Sequence, residues 1–184
     1  MSTQQRTAIL TAATQHFAQL GFTRVSLEDI ARRAGLEHGQ VFRHFSSKEA
    51  LFIEVVRQHG VPAMEALERA VARAPSPEQQ VRTFVEVRQE QTERILRELN
   101  VSFDALLDIL PLIDLYVVDL HARELALLES VFTEGTRRGD FHFQSPRNVA
   151  AAMLASLREV ERLTWAAQCL TSSGPGRQAS DLLH

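Results

Sequence analysis

The sequence is poor in cysteine, and this limits the chemistry that the chain can support. Cys169 is the only cysteine among 184 residues, which excludes an internal disulfide and a metal site built from several thiolates. The seven histidines include no tightly spaced pair with a third ligand, so we expect no metal. We find no nucleophile elbow, no phosphate-binding glycine loop and no paired carboxylates with an acid/base role. The sequence therefore predicts neither catalytic residues nor a cofactor.

A long uninterrupted hydrophobic run is also missing. The longest apolar stretch, residues 106–120, is interrupted by Asp108, Pro111, Asp114 and Asp119. Each aspartate at the centre of a membrane helix would cost about 2.5–3.5 kcal/mol. The opening MSTQQRTAIL lacks the charged-then-apolar order of a signal peptide. We therefore expect a cytoplasmic protein without a membrane span.

Charge of one sign is in small excess, but it is unevenly distributed. The formal net charge is −3, and Lys48 is the only lysine. The first 51 residues carry six basic and four acidic side chains, whereas the remainder carries 14 basic and 19 acidic ones. A modestly basic head on an acidic body is expected when only one end of a protein meets phosphate.

Residues 26–51 show the pattern of a helix, a turn and a second helix. Ser26 can cap the first helix, with Asp29 three residues later as the partner of a capping box. Gly35 follows where a positive φ is expected at the end of a helix. The residues with helical spacing on one face are Leu27, Ile30, Ala31 and Ala34. This order predicts a helix-turn-helix, which places its second helix in the DNA major groove.

The second helix, from about His38 to Phe45, has one inward and one outward face. Val41 and Phe45 are one turn apart and face inward, whereas Gln40, Arg43 and His44 point outward. Their side chains carry the hydrogen-bond donors that suit base edges and phosphates.

These residues resemble the TetR (tetracycline-repressor) family of bacterial transcriptional regulators. The resemblance runs through AAxxxFxxxGF at residues 12–22, IAxxAG at 30–35, the helix at 39–45 and SKEAL at 47–51. It implies an all-α fold with an N-terminal three-helix DNA-binding head at residues 1–50. The same resemblance implies a helical effector-binding and dimerisation body at residues 51–184.

The resemblance also implies which residues contact DNA. We assign this role to Ser26, Gln40, Phe42, Arg43, His44 and Lys48. Ser47 is expected to cap a helix beginning at Lys48, whose N–H groups form a phosphate-binding end with that lysine. Phe42 departs from the family pattern, because a tyrosine whose hydroxyl reaches a phosphate is usual there. Glu37 stands where a small capping residue is usual, and it places a negative charge near the DNA.

The body shows helical spacing throughout, punctuated by proline and glycine. Gly60 and Pro62 should break or kink the helix that leaves the head. Ser76 and Pro77 form a good start signal for the next helix. The remaining helices are expected near residues 102–109, near residues 115–138 before Gly139, and from Ser145-Pro146 to about residue 169.

The last two helices predict a homodimer. On the final helix, small and apolar residues would let a partner helix approach closely; they are Ala150, Ala151, Ala152, Met153, Leu154, Ala155, Ser156, Leu157 and Val160. On the helix before it, the apolar stripe comprises Val118, Leu125, Leu127, Leu128, Val131 and Phe132. The resemblance implies the same arrangement, a four-helix bundle formed by these two helices of each subunit.

The middle helices carry aromatic and apolar residues that could line an effector cavity, although such stripes more often form ordinary core. Our candidates for ligand binding are Phe84, Arg88, Phe103, Leu107, Tyr116 and Trp165. Further polar candidates are Gln91, Asp108 and His121. A ligand bound there would be mainly hydrophobic or aromatic, with few polar contacts.

Taken together, the sequence predicts a dimeric DNA-binding transcriptional regulator, a repressor released from a palindromic operator by a small, mainly hydrophobic effector. Two alternatives stay open. One is an enzyme on a helical scaffold, for which Cys169 is a poor nucleophile candidate because no base is defined for it. The other is a regulator of the same layout whose body contacts another protein instead of a ligand.

Overall fold

Helices are the only regular secondary structure among the residues that the computed structural model describes, which are 2–102, 105, 109 and 117–172, with 165–172 described by their backbone alone. This confirms the predicted all-α class. In chain order the helices of the described residues are α1 (Thr3–Leu20), α2 (Leu27–Arg33), α3 (His38–Phe42), α4 (Lys48–Arg73), α5 (Pro77–Glu98), α6 (Val118–Arg138) and α7 (Pro146–Ser172).

Serine hydroxyl groups cap the starts of α2, α4 and α5. Ser26 accepts a hydrogen bond from the main-chain N–H of Asp29 at 3.1 Å, and Ser47 accepts one from Ala50 at the same distance. Ser76 does the same for α5, where Pro77 occupies the first helical position. Each bond satisfies a donor that the first turn of a helix leaves without a partner. All three starts were predicted from the sequence.

Gly35 and Gly139 adopt positive φ values of 68° and 84° just after α2 and at the end of α6. A residue with a Cβ is strained at positive φ, whereas glycine is not. Glycine therefore permits the sharp change of direction that follows each helix. Gly35 thereby brings α3 across α2, the relationship that a helix-turn-helix requires.

Of the break or kink predicted at Gly60 and Pro62, the break is wrong, because α4 continues through both residues to Arg73. Proline removes one main-chain hydrogen bond, but buried residues before and after it hold the helix in place: Phe52 and Val55 on one side, Met64 and Leu67 on the other. Gly60 has a packing role, because a Cβ there would lie 2.7 Å from Leu120 Cδ1 of α6.

The buried residues form two hydrophobic clusters. The head core joins α1, α2, α3 and the start of α4, and it also includes Leu99, Ala105 and Ile109 from beyond α5. The body core joins α4, α5, α6 and α7. The head therefore packs against two helices of the body: the end of α5, and α4, the linker helix that joins head and body.

Several residues assigned to the dimer stripe lie inside the protomer. Leu128, Val131 and Phe132 of α6 are buried in the body core, as are Ala150 and Leu154 of α7. Sequence spacing identified apolar positions correctly, but could not say whether the protomer or a partner covers them.

Among the described residues, none of the helices is both long and apolar enough to cross a membrane.

Candidate nucleic-acid interface and ligand cavity

The short helix α3 is anchored by its inward face and exposed on the other. Val41 and Phe45 are almost fully buried in the head core, whereas Phe42 and Arg43 are exposed and His44 is half-buried. The helix ends at Phe42, earlier than predicted, and Arg43 is its C-terminal cap residue. The outward side chains thus lie on a surface that the protomer leaves open.

Gln40 contributes to the start of this helix. Its side-chain oxygen accepts a 2.7 Å hydrogen bond from the main-chain N–H of Glu37, which occupies the N-cap position. The glutamine oxygen is therefore committed to the protein, and its amide N–H groups are the part that suits a base edge or a phosphate.

Phe42 packs edge-on against His38, with ring centroids 4.8 Å apart. Because phenylalanine has no hydroxyl group, this exposed ring offers an apolar contact instead of a hydrogen bond. Thymine carries a methyl group in the major groove that such a ring can contact.

Arg43 is the cationic side chain on the exposed face of α3 that remains available for contacts outside the protomer. It has no hydrogen-bond or ion-pair partner among the described residues, whereas its neighbours in α2 are engaged. Arg32 lies 3.3 Å from a carboxylate oxygen of Asp29, and Arg33 donates a 2.9 Å hydrogen bond to Gln15. A guanidinium group without a partner can make bidentate contacts to guanine or phosphate.

Ser26 is exposed but is used within the head. Its hydroxyl caps α2 and also donates to the carboxylate of Asp29. This side-chain hydrogen bond lowers the pKa of Asp29, and the main-chain bond and Arg32 add to the effect. Both hydrogen bonds therefore fix the start of α2.

Lys48 lies where the sequence predicts it, at the first position of α4, but it also contacts the head. Its ammonium group donates a 3.0 Å hydrogen bond to the main-chain oxygen of Phe22 and lies 4.3 Å from the ring centroid of that residue. The ammonium group carries three donors, so this bond leaves others for a phosphate. The contact joins residues 26 apart in the chain, a separation that local spacing cannot reveal.

A cavity of about 760 Å³ lies between α4, α5, α6 and α7. This volume is within the range of small-molecule sites, roughly 300–1,000 Å³. Its apolar wall consists of Phe52, Val56, Gly60, Ala63, Met64, Leu67, Ile95, Leu96, Leu99, Val101, Ile109, Val117, Leu120 and Ala155. Its polar wall consists of Arg88, Gln91, Thr92, His121, Glu124, Arg158, Glu159, Glu161 and Arg162.

Only some of our candidate ligand-binding residues line this cavity. Arg88 lines the cavity, as do Gln91 and His121 among the further polar candidates. Phe84 does not line it, because its side chain is fully buried in the body core. Phe103, Leu107, Asp108 and Tyr116, together with the side chain of Trp165, lie outside the described residues.

Sequence reasoning missed the largest apolar contributor, the linker helix α4. Phe52, Val56, Gly60 and Met64 line the cavity from successive turns of this helix. Their helical spacing is visible in the sequence, but spacing alone does not distinguish residues that line a cavity from residues of the core.

Arg88 is the one buried charged residue among those described. It donates a 2.8 Å hydrogen bond to Glu124 of α6 and also pairs with Glu161 of α7. Arg158 lies 3.4 Å from the second carboxylate oxygen of Glu124. Burial raises the pKa of Glu161, although the charge and hydrogen bond of Arg88 oppose that effect. These ion pairs connect three helices at the polar wall.

The cavity lies between the two hydrophobic clusters. Its wall includes Phe52 and Leu99 from the head core, and Met64 and Leu67 from the body core. Phe52 also packs edge-on against Phe17, with ring centroids 4.9 Å apart. A molecule in the cavity would therefore touch side chains that support the head.

Comparison with known proteins agrees with this architecture. Residues 9–55 match the family model described as bacterial regulatory proteins, tetR family. The transcriptional regulator RutR of Escherichia coli K12 is 46% identical over 54 residues, which are 29% of this chain and 26% of RutR. The transcriptional repressor Rv3405c of Mycobacterium tuberculosis H37Rv is 52% identical over 44 residues, which are 24% of this chain and 23% of that protein. The chain thus matches about a quarter of the length of these relatives.

Similarity over the body is a similarity of fold. A solved transcriptional regulator of the TetR/AcrR family from Thermobifida fusca YX-ER1 superposes with a TM-score of 0.62 at 22% identity. That superposition covers 83% of this chain and 81% of the other. The head of this chain therefore matches the TetR family in sequence, and head and body together have the fold of a solved regulator of that family.

Proposed function

We propose that this protein is a cytoplasmic, dimeric DNA-binding transcriptional regulator, a repressor released from a palindromic operator by a small, mainly hydrophobic effector. The observation that carries the proposal is the open face of α3, where Arg43 is exposed without a partner while Val41 and Phe45 fix the helix to the head core. RutR and Rv3405c, which share this head, are named as regulators of transcription.

In this proposal α3 enters the major groove and reads base edges with Arg43, Gln40 and the ring of Phe42. Lys48 and the N-terminus of α4 contact the phosphate backbone beside it. Phosphate contacts set the register of the head on the duplex, and the three side chains of α3 supply the preference for sequence.

The proposed dimer uses the outer face of α7. Ala152, Ser156, Val160 and Leu163 are exposed at intervals of three or four residues, and Val160 and Leu163 are among the large apolar side chains that the protomer leaves uncovered. Small residues allow two helices to approach, and the apolar ones gain free energy when a second copy covers them. Two heads related by a two-fold axis would read half-sites about 34–36 Å apart.

The proposed switch connects the cavity to the spacing of the heads. Phe52 forms part of both the cavity wall and the head core, and Asn100 beyond α5 lies against Gly21 at the end of α1, where an added Cβ would be 3.1 Å from the Asn100 main-chain oxygen. A ligand that moves α4 or the end of α5 must therefore move the head. It releases DNA if it binds the incompetent spacing more tightly than the competent one.

Selection of bound sites from random duplex DNA tests the DNA-binding role. We expect recovered sites to share a palindrome whose half-sites are one helical turn, or a multiple, apart. Sedimentation of the complex should give two protomers per site. Recovery of no preferred sequence at low salt, or a monomer on a single half-site, would refute this part of the proposal.

A further inference from the structure

We propose that the ligand of the cavity is an uncharged amphipathic molecule whose polar end carries both a hydrogen-bond donor and an acceptor. This inference rests on the effector role proposed above. It adds the chemical class of the effector, which the cavity volume and apolar wall alone leave undefined.

The charged groups of the cavity already compensate one another. Three arginines and three glutamates line it, and each has a partner of opposite charge within the wall. Arg88 pairs with Glu124 and Glu161, Arg158 pairs with Glu124, and Arg162 pairs with Glu159. A charged ligand group would have to displace one of these partners or remain without one in a partly buried site, and both are unfavourable.

Two buried polar atoms of the wall lack a partner. They are the side-chain oxygen of Gln91, an acceptor, and Nε of Arg158, a donor. Gln91 lies one turn after Arg88 on α5, so it belongs to the same polar region. A buried donor or acceptor without a partner destabilises a protein unless something supplies one. Both atoms are covered by the surrounding wall, so a rotation of each side chain towards the cavity would let a ligand N–H or O–H bond to Gln91 and a ligand oxygen bond to Arg158.

The order of polar and apolar residues along α5 indicates where the apolar end of the ligand lies. Residues 88–92 contribute polar groups to the cavity, and residues 95–99 contribute apolar ones. Seven residues of helix span about 10 Å, so polar and apolar regions are separated along the axis of α5. A molecule with a short hydrocarbon chain fits this arrangement when its polar end lies against Gln91 and its chain extends towards Phe52 and Leu99.

Calorimetric titration with four probes of equal chain length tests the proposal. The probes are octanamide, which has donor and acceptor, methyl octanoate, which has only acceptors, octanoate, an anion, and octylammonium, a cation. We expect octanamide to bind at least tenfold more tightly than each of the others. The Gln91→Leu variant should lose about tenfold in affinity for octanamide and little for methyl octanoate. The matched control is Gln58→Leu, an exposed glutamine of α4 outside the cavity, which should bind octanamide as the unmodified protein does.

Tighter binding of octanoate or octylammonium would overturn the uncharged class while leaving an effector site in the cavity. Equal loss in Gln91→Leu and Gln58→Leu would overturn the role of Gln91. Absence of saturable binding by all four probes would overturn the proposed ligand class altogether. None of these results affects recovery of a palindromic site by the unliganded protein, so failure here is distinguishable from failure of the proposed DNA-binding function.

Discussion

The ammonium group of Lys48 is bonded to the main-chain oxygen of Phe22 and lies beside the ring of the same residue. Phe22 in turn packs edge-on against Phe52, with ring centroids 5.0 Å apart. The only lysine of the chain therefore ties the first residue of α4 to the turn after α1. A phosphate bound at this point would meet a side chain whose position is already fixed by the head.

Replacing Lys48 with methionine should affect both stability and DNA binding. Losing a hydrogen bond from a charged group and a cation–π contact at a half-buried site should lower the free energy of unfolding by about 1–2 kcal/mol. The salt dependence of DNA binding should fall by about one charge. Denaturant unfolding and binding titrations over a salt series measure the two effects. Arg69→Met, at an exposed position of α4 in the body, should change neither, and an unchanged salt slope in Lys48→Met would exclude the phosphate contact.

Replacing Arg43 with alanine should reduce specificity more than affinity for DNA in general. A bidentate contact to a base contributes about 1–3 kcal/mol of discrimination, whereas loss of a phosphate contact weakens binding to all sequences alike. Competition between the selected site and single-base variants of it measures the difference. Arg32→Ala is the matched control, because Arg32 is exposed on α2 but engaged by Glu28 and Asp29. A uniform loss on every duplex would assign Arg43 to the backbone instead.

The helices of the head could be predicted because their signals are local. A capping serine, a glycine with positive φ and apolar residues at helical spacing act within one or two turns, and Ser26, Gly35 and Val41 have the predicted roles. Pro62 shows the limit of this reasoning. Its local effect favours a break, but packing of α4 against two hydrophobic clusters outweighs one lost hydrogen bond, and that packing depends on residues distant in the chain.

The cavity was harder to predict for the same reason. Phe84 and Arg88 lie one turn apart on α5, yet Phe84 is in the body core whereas Arg88 lines the cavity. Which of two neighbouring inward positions meets empty space depends on the helices packed against them. The partners of Arg88 are 36 and 73 residues away in the chain. No periodic pattern within a single helix contains this information.

Replacing Phe52 with leucine should weaken the coupling between ligand and DNA. Phe52 is the aromatic side chain shared by the cavity wall and the head core, so its loss removes a direct contact between the two. We expect destabilisation of about 1–3 kcal/mol and a smaller reduction of DNA affinity by ligand. Phe84→Leu is the matched control, because Phe84 is equally buried but does not line the cavity. It should cost similar stability and leave the coupling intact, as measured by DNA titrations with and without octanamide. Equal coupling in both variants would show that Phe52 does not transmit the change.

Replacing Ala152 with glutamate should separate the proposed dimer. The residue is exposed on α7 among small and apolar side chains, so a second copy covering this face would bury a carboxylate without a partner. Sedimentation should show monomers at concentrations where the unmodified protein is dimeric. Ala72→Glu, on an exposed position of α4, should remain dimeric. A dimer that persists in Ala152→Glu would place the interface on another face.

Replacing Glu161 with glutamine should change how stability depends on pH. Burial raises the pKa of Glu161 above its ordinary value of 4.5, so the folded protein holds this proton at pH values where the unfolded chain has released it. The folded state then binds more protons, and its stability falls as the pH rises from about 4.5 through the raised pKa. The glutamine variant lacks this loss. The difference in unfolding free energy, variant minus unmodified protein, should therefore increase towards neutral pH when denaturant unfolding is measured at intervals from pH 4 upward.

Glu134→Gln provides a comparison of opposite sign. Its hydrogen bonds to Arg137 lower the pKa of Glu134, so the folded state releases that proton more readily than the unfolded chain does. Its contribution is present above the ordinary pKa and is lost as the pH falls, which makes the variant relatively less stable at neutral pH than in acid. The two variants should thus diverge as the pH rises. If the pH dependences of the two variants were instead parallel, the carboxylate of Glu161 would be stabilised by Arg88 as fully as that of Glu134 is by Arg137. Burial at the polar wall of the cavity would then have no net effect on the pKa of Glu161.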